Sequence, residues 1–325
     1  MLRRLVTIPA SLLAVAVMLA ACSSSSPSTS SSSPASGGQT VGFLVFDAEL
    51  DTFVTALVDA VDGAAQARGL QLTVVDGKND AATQTAAVQQ FIADGVDAIL
   101  LYPGDPTTLM PVVKEAADKG IPVFTVNLNL EKGAPIITYV GSDDYDYGKE
   151  QAELLVKAIG ESGTVGLLTG EIGTSAELAR TAGITDYLKD YPGIRIVEKQ
   201  PDNWTDDSAV AAVQAWAAAY PKGSLSAVMA EGPEVAAAAE WARGQGRDDI
   251  TFIAGDYDTA VQKAIVDGAV YGTVVQYPKE QGEKAIEAIF HWLNGAQDKV
   301  QRPTAYTSLP TVTQEDAATT PPAYQ

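Results

Sequence analysis

The chain has 325 residues, with 41 acidic against 21 basic side chains and a formal charge of −20. Nucleic-acid binding requires a basic face, so this balance excludes it, while it favours solubility and says little about a small ligand. A single cysteine excludes a disulfide within the chain and a cysteine metal site.

Arg3 and Arg4 open the chain, and 12–21 is an apolar run of small and aliphatic residues. The run is far shorter than the ~20 residues that span a bilayer, so 1–21 reads as a signal peptide. It ends in Leu19-Ala20-Ala21-Cys22, which resembles a bacterial lipobox with Cys22 as the lipidated first residue. Segment 22–39 is almost all Ser, Pro, Thr, Gly and Ala. It has too little apolar surface to offset the entropy of ordering and reads as a flexible tether. The polar tail 314–325 is expected to be loose.

The body between these ends alternates β-branched runs with helical spacing. Strands are expected at 41–46, 72–75, 98–101 and 122–126, and helices at 53–67, 81–93 and 107–119. The plan then repeats, with strands at 164–168, 194–199, 227–229, 251–254 and 271–275. Helices are expected at 175–189, 207–219, 234–243 and 280–293. Strand, helix and strand in succession predict parallel sheets covered on both faces, here in two successive units of similar size. Ligands in such sheets bind beyond the carboxyl ends of the strands.

No GxGxxG follows a strand, and neither a GxxxxGK[ST] phosphate loop nor a GxSxG elbow occurs. The single histidine, His291, falls in an apolar stretch of the last long helix and reads as packed or surface. Asp143-Asp144-Tyr145-Asp146 lacks the glycine and distal glutamate of a calcium loop. Nothing assembles a nucleophile with a base, so no enzyme, metal site or cofactor is expected.

From Thr40 onward the chain resembles the type I periplasmic sugar-binding proteins, particularly the ribose-binding branch. The phrases that carry the likeness are Gly120-Ile121-Pro122-Val123, Val140-Gly141-Ser142-Asp143, Gly173-Thr174-Ser175-Ala176, Gly255-Asp256 and Gln276-Tyr277-Pro278, in this order. The resemblance implies an α/β protein of two doubly wound Rossmann-like lobes joined by a three-segment hinge, with the ligand between them. Matched motifs put the first lobe at 40–142 plus 277–304 and the second at 143–276 plus 305–313.

The resemblance also implies a ligand set. Sugar recognition combines aromatic faces with planar polar groups that bond neighbouring hydroxyls. Asp51 and Phe53 follow the first strand where the family places a polar residue and a stacking aromatic; Phe53 as helix core is the alternative. Val54 stands where the family has a second aromatic. Arg180 matches an arginine that grips hydroxyls, Trp204 the aromatic of the second lobe, and Asp256 and Gln276 two strand-end ligand positions. Asn127-Leu128, with Asn129 beyond, replaces the family's usual Asp-Arg, and Glu231-Gly232-Pro233 replaces an asparagine. Glu231 is expected either to turn inward or to cap the next helix.

The function so implied is an exported solute-binding lipoprotein, a monomer that captures a sugar or sugar alcohol for an ABC transporter permease. A sensory protein that presents the ligand to a membrane receptor is the alternative. A transcription regulator of this fold would need a helix-turn-helix before Thr40, where a signal peptide and tether stand instead. Cys22→Ala should release the protein from membranes into the soluble fraction on cell fractionation. Unchanged membrane association in that variant would refute the lipid anchor.

Overall fold

A computed structural model describes residues 38–325. The signal peptide, Cys22 and nearly all of the tether therefore lie outside the described residues.

The chain runs β1 (Thr40–Val45), α1 (Thr52–Ala67), β2 (Gln71–Asp76), α2 (Ala81–Asp94), β3 (Ala98–Tyr102), α3 (Met110–Asp118), β4 (Val123–Val126) and β5 (Tyr139–Gly141). A second series follows: α4 (Asp144–Ile159), β6 (Ser162–Thr169), α5 (Ser175–Leu188), β7 (Gly193–Pro201), α6 (Asp206–Ala219) and β8 (Ala227–Ala230). It continues with α7 (Val235–Gly244), β9 (Thr251–Gly255), α8 (Thr259–Val266) and β10 (Gly272–Val274). The chain ends with α9 (Pro278–Leu293), β11 (Thr304–Tyr306), β12 (Thr311–Thr313) and α10 (Gln314–Ala317).

Two six-stranded sheets result, ordered β11-β5-β4-β3-β1-β2 and β12-β10-β9-β8-β6-β7. The central strands of each are buried on both faces, which is why β1, β3, β4, β8 and β9 read as continuous apolar runs. In β1, Val41, Phe43 and Val45 join one core while Leu44 points into another on the opposite face. The second sheet divides in the same way, Leu168 and Val228 on one side and Leu167 and Met229 on the other.

The chain passes between the sheets three times, at 142–143, 275–277 and 307–310. After the second passage α9 packs against α1 of the first lobe. The third passage falls a few residues later than the motif match suggested, because Thr304–Tyr306 still pairs with β5. The second sheet is not wholly parallel: β12 runs against β10. β10 leads into a crossing and β12 leads out of one, so the two must point in opposite directions.

The tail differs from expectation. Segment 314–325 is docked, not loose: the Tyr257 hydroxyl bonds the carbonyls of Ala317 (3.2 Å) and Thr320 (3.0 Å). Gln262 Nε2 bonds the same two carbonyls, and Tyr324 is buried. Composition misleads here because the tail is held by hydrogen bonds to its backbone, which its polar side chains do not reveal.

Helices α4 and α5 cross at two glycines. A β-carbon on Gly148 would collide with the Arg180 carbonyl oxygen, and one on Gly183 with that of Tyr145. Both obstacles are backbone, so neither can yield by changing a rotamer. Gly148→Ala should therefore lower stability by about 1–3 kcal/mol, the usual cost of forced overpacking. A denaturant midpoint equal to the parent's would contradict this crossing.

Candidate functional site

The carboxyl ends of the strands of both lobes face one cavity. The first lobe contributes Leu50, Asp51, Phe53, Tyr102, Asn127 and Leu128 to its wall. The second contributes Ala176, Arg180, Trp204, Pro233 and Asp256, and Gln276 enters from the hinge. In this closed arrangement the cavity is about 20 Å³, room for roughly one water. A larger ligand enters only when the lobes part.

Asn127 and Asp256 occupy equivalent places, each just after a central strand, and both have left-handed backbone, with φ of 59° and 54°. Asn and Asp tolerate this region better than other non-glycine residues. Gln276 joins them. Its Nε2 donates to Asp256 Oδ1 at 2.8 Å, and its Oε1 accepts from Ser142 Oγ at 3.0 Å and from Asn127 Nδ2 at 3.3 Å. Ser142 Oγ also lies 3.5 Å from Thr307 Oγ1, so one polar cluster ties all three crossing segments.

Arg180 lies on α5 and is buried, not exposed. Its Nε donates to Asp144 Oδ1 at 2.9 Å, one terminal nitrogen donates to the Glu231 carbonyl at 2.6 Å, and the guanidinium stacks over Tyr147 at 4.1 Å. Burial acts to lower its pKa but is outweighed by Asp144, Tyr147, Asp256 and Glu231, which raise it. The charge is thus fixed in place, in the wall of the cavity.

Trp204 is held by two glycines. A β-carbon on Gly170 would strike its ring, and one on Gly232 would come within 2.7 Å of Trp204 Cδ1. Gly232 therefore serves the site by making room for the indole. Asp202 Oδ1 accepts from the Trp204 N–H at 3.0 Å and orients the loop. The neighbouring Glu234 is buried, and desolvation, reinforced by Asp202, pushes its pKa well up.

Two expected ligands do not line the cavity. Asn129 turns its Oδ1 to the Thr125 hydroxyl (3.0 Å) and the Leu130 N–H (2.9 Å), while its own N–H crosses to Ser175 Oγ at 2.8 Å. Glu231 points inward but behind the wall, accepting from the Gly170 N–H at 3.1 Å and the Thr181 hydroxyl at 2.7 Å. It does not cap α7. Phe53 is packed in the first-lobe core and also lines the cavity.

Sequence reasoning missed Asp144, Tyr147 and Tyr102. Asp143 caps α4 through its side chain, a signal that would have placed Asp144 and Tyr147 on a helix facing α5. Among the described residues no three His, Cys, Asp or Glu side chains cluster as metal ligands.

The site is acidic. Desolvation pushes Asp51 and Asp256 each up to about 6, the first opposed by the Val54 N–H and the second by Arg180. Desolvation pushes Glu231 up to about 8 against the Thr181 hydroxyl and Arg180.

Two lobes, a three-stranded hinge and a polar cleft between strand ends define a two-lobed α/β binding protein. The chain belongs to the periplasmic binding protein family, whose domain profile matches residues 41–297, and within it to the type I sugar-binding proteins. It is similar to the ribose import binding protein RbsB of Bacillus subtilis, with 29% identity over 83% of this chain and 87% of that one. A xylitol-binding protein of Mycolicibacterium smegmatis is 29% identical over 74% of this chain and 68% of its own length. Among solved structures, the binding component of an arabinose transporter from Shewanella sp. ANA-3, bound to L-arabinofuranose, superposes with a TM-score of 0.80. Its identity is 30%, over 86% of this chain and 93% of that one. A solute-binding protein of Bacillus halodurans with bound myo-inositol gives a TM-score of 0.81 at 26% identity, covering 88% and 98%.

Glu231 supplies a pH test. Its folded-state pKa lies above the ordinary 4.5, so the folded state holds the proton more tightly than the unfolded chain. Stability from this group therefore falls as pH rises from about 4.5 to about 8. Glu231→Gln should flatten the decline of Tm across that range. Parallel Tm–pH curves for parent and variant would show that Glu231 titrates normally.

Proposed function

We propose that this chain is an extracytoplasmic receptor, tethered through lipidated Cys22, that captures a small sugar or sugar alcohol and delivers it to an ABC-type permease. The observation that carries the reading is the convergence of Asp51, Asn127, Arg180, Asp256 and Gln276, from both lobes and the hinge, on one cavity. Carboxylate, amide and guanidinium groups can each accept or donate in pairs, which suits adjacent hydroxyls. Phe53 and Trp204 supply apolar faces from opposite sides.

The role is binding, not catalysis. A ligand bonded by both lobes stabilises the closed form through contacts that the open form lacks. The closed monomer is then the form a permease recognises. Asp51, Phe53, Asn127, Arg180, Trp204, Asp256 and Gln276 are assigned as ligand contacts. Asn129 and Glu231 support the walls. The ligands named for the relatives, ribose, xylitol, arabinofuranose and myo-inositol, include both rings and an open chain. Loss of the Asp-Arg pair at Asn127-Leu128 makes ribose itself the weaker candidate and favours a polyol or a small furanose.

A thermal-shift screen of ribose, xylitol, L-arabinose and myo-inositol should identify the ligand, since a ligand at about 100 times its Kd adds about 2.7 kcal/mol. With that ligand, isothermal titration of Asp256→Ala should show a loss of about 2–4 kcal/mol, because charge-assisted bonds to hydroxyls disappear. Trp204→Ala should lose less when the ligand is an open-chain polyol. Affinity should also fall as pH drops through about 6, where Asp256 gains a proton. Parent-like affinity for Asp256→Ala would remove the cleft from this reading.

A further inference from the structure

The last five residues, 321–325, reach from one lobe to the other. Their root is the second lobe, where Tyr257 and Gln262 bond the tail carbonyls and the Ala323 N–H donates to the Tyr257 carbonyl at 2.7 Å. Their end is the first lobe. The Tyr324 ring meets Phe53 edge to face, with centroids 5.3 Å apart and planes at 87°, and belongs to the same apolar core. Ala323 packs on cores of both lobes.

Tyr324 is only 6% exposed, and its hydroxyl has no hydrogen-bond partner among the described residues. Burial, then Asp256, Asp258 and Asp51, raise its pKa well above the ordinary value. Pro321 and Pro322 precede it and stiffen the segment. Residue 54, next to Phe53, is valine, and the ring that packs edge to face on Phe53 is that of Tyr324.

We propose that residues 321–325 form a strap across the cleft mouth, in which Tyr324 ties the second lobe to Phe53 and holds the closed form together. The strap works through ring packing, so Tyr324 is a positioning residue: it sets Phe53, and Phe53 faces the cavity. Its effect on ligand retention rests on the receptor reading, whereas its effect on lobe contact does not. Opening must strip Tyr324 from Phe53, so the strap slows ligand departure as well as favouring closure.

The test compares the full chain with a variant ending at Thr320, with Tyr324→Ala and with Tyr324→Phe. Hydrogen exchange of the first turn of α1, measured without added sugar, should speed up by roughly tenfold in the truncated and Tyr324→Ala proteins, the size expected for losing one buried aromatic contact. Tyr324→Phe should match the parent, because the hydroxyl it removes has no partner to lose. Unchanged exchange in the truncated protein overturns the strap, and so does a Tyr324→Phe variant that behaves like Tyr324→Ala. Dissociation rates of ribose, xylitol and myo-inositol form the second arm, with faster release expected from the truncated protein. A sugar that binds the parent and leaves the truncated protein no faster overturns the retention role. If none of the three binds the parent, the choice of ligand is at fault, and the exchange result still decides the strap.

Discussion

Three segments must cross between the lobes at one place, and polar side chains from all three meet in a buried junction. That constraint is met by a small hydrogen-bonded cluster in which Gln276 is the centre. Its amide carries both a donor and an acceptor, so one side chain can bond Asp256 from the second lobe and Asn127 from the first. Ser142 and Gln281 complete the cluster from either side of the hinge. A carboxylate here would lose the donor to Asp256, and an apolar side chain would leave several buried groups unpaired, which is costly in a dry site. The geometry of the cleft follows from this junction.

The second lobe depends on a different arrangement, the burial of an arginine. A charge removed from water is tolerable only when paired and fully bonded. Asp144, the Glu231 carbonyl and the Tyr147 face together provide this for Arg180. The arrangement is possible because glycines let α4 and α5 approach at Gly148 and Gly183. Close helix packing, ion pairing and the orientation of a cleft side chain are thus one structural fact. The surrounding acids are partly held neutral by the same desolvation, which limits repulsion among so many carboxyl groups.

Aromatic walls are built with comparable dependence on small residues. Trp204 sits where Gly170 and Gly232 leave space for its indole. Phe53 gains its aromatic neighbour from the chain terminus and not from its own helix.

Much of this was legible beforehand. Strands buried on both faces must be apolar throughout, so the β-branched runs and the helices between them marked a two-unit α/β chain. The strand-end positions of Asn127, Asp256 and Gln276 could also be read, because in such sheets the chain leaves each strand into the cleft. What a side chain does after leaving the strand was decided by tertiary structure alone. Asn129 and Glu231 stand beside the cavity in sequence but turn to Thr125, Thr181 and the Gly170 N–H. Asp144 gains its meaning only from Arg180, 36 residues away. The tail reads as polar and loose, yet Tyr324 is buried, because its burial depends on a docking surface made by Tyr257, Gln262 and Phe53 from distant parts of the chain. Local pattern determines which face of an element is apolar, whereas the partner of a buried polar group is set by residues that only folding brings near.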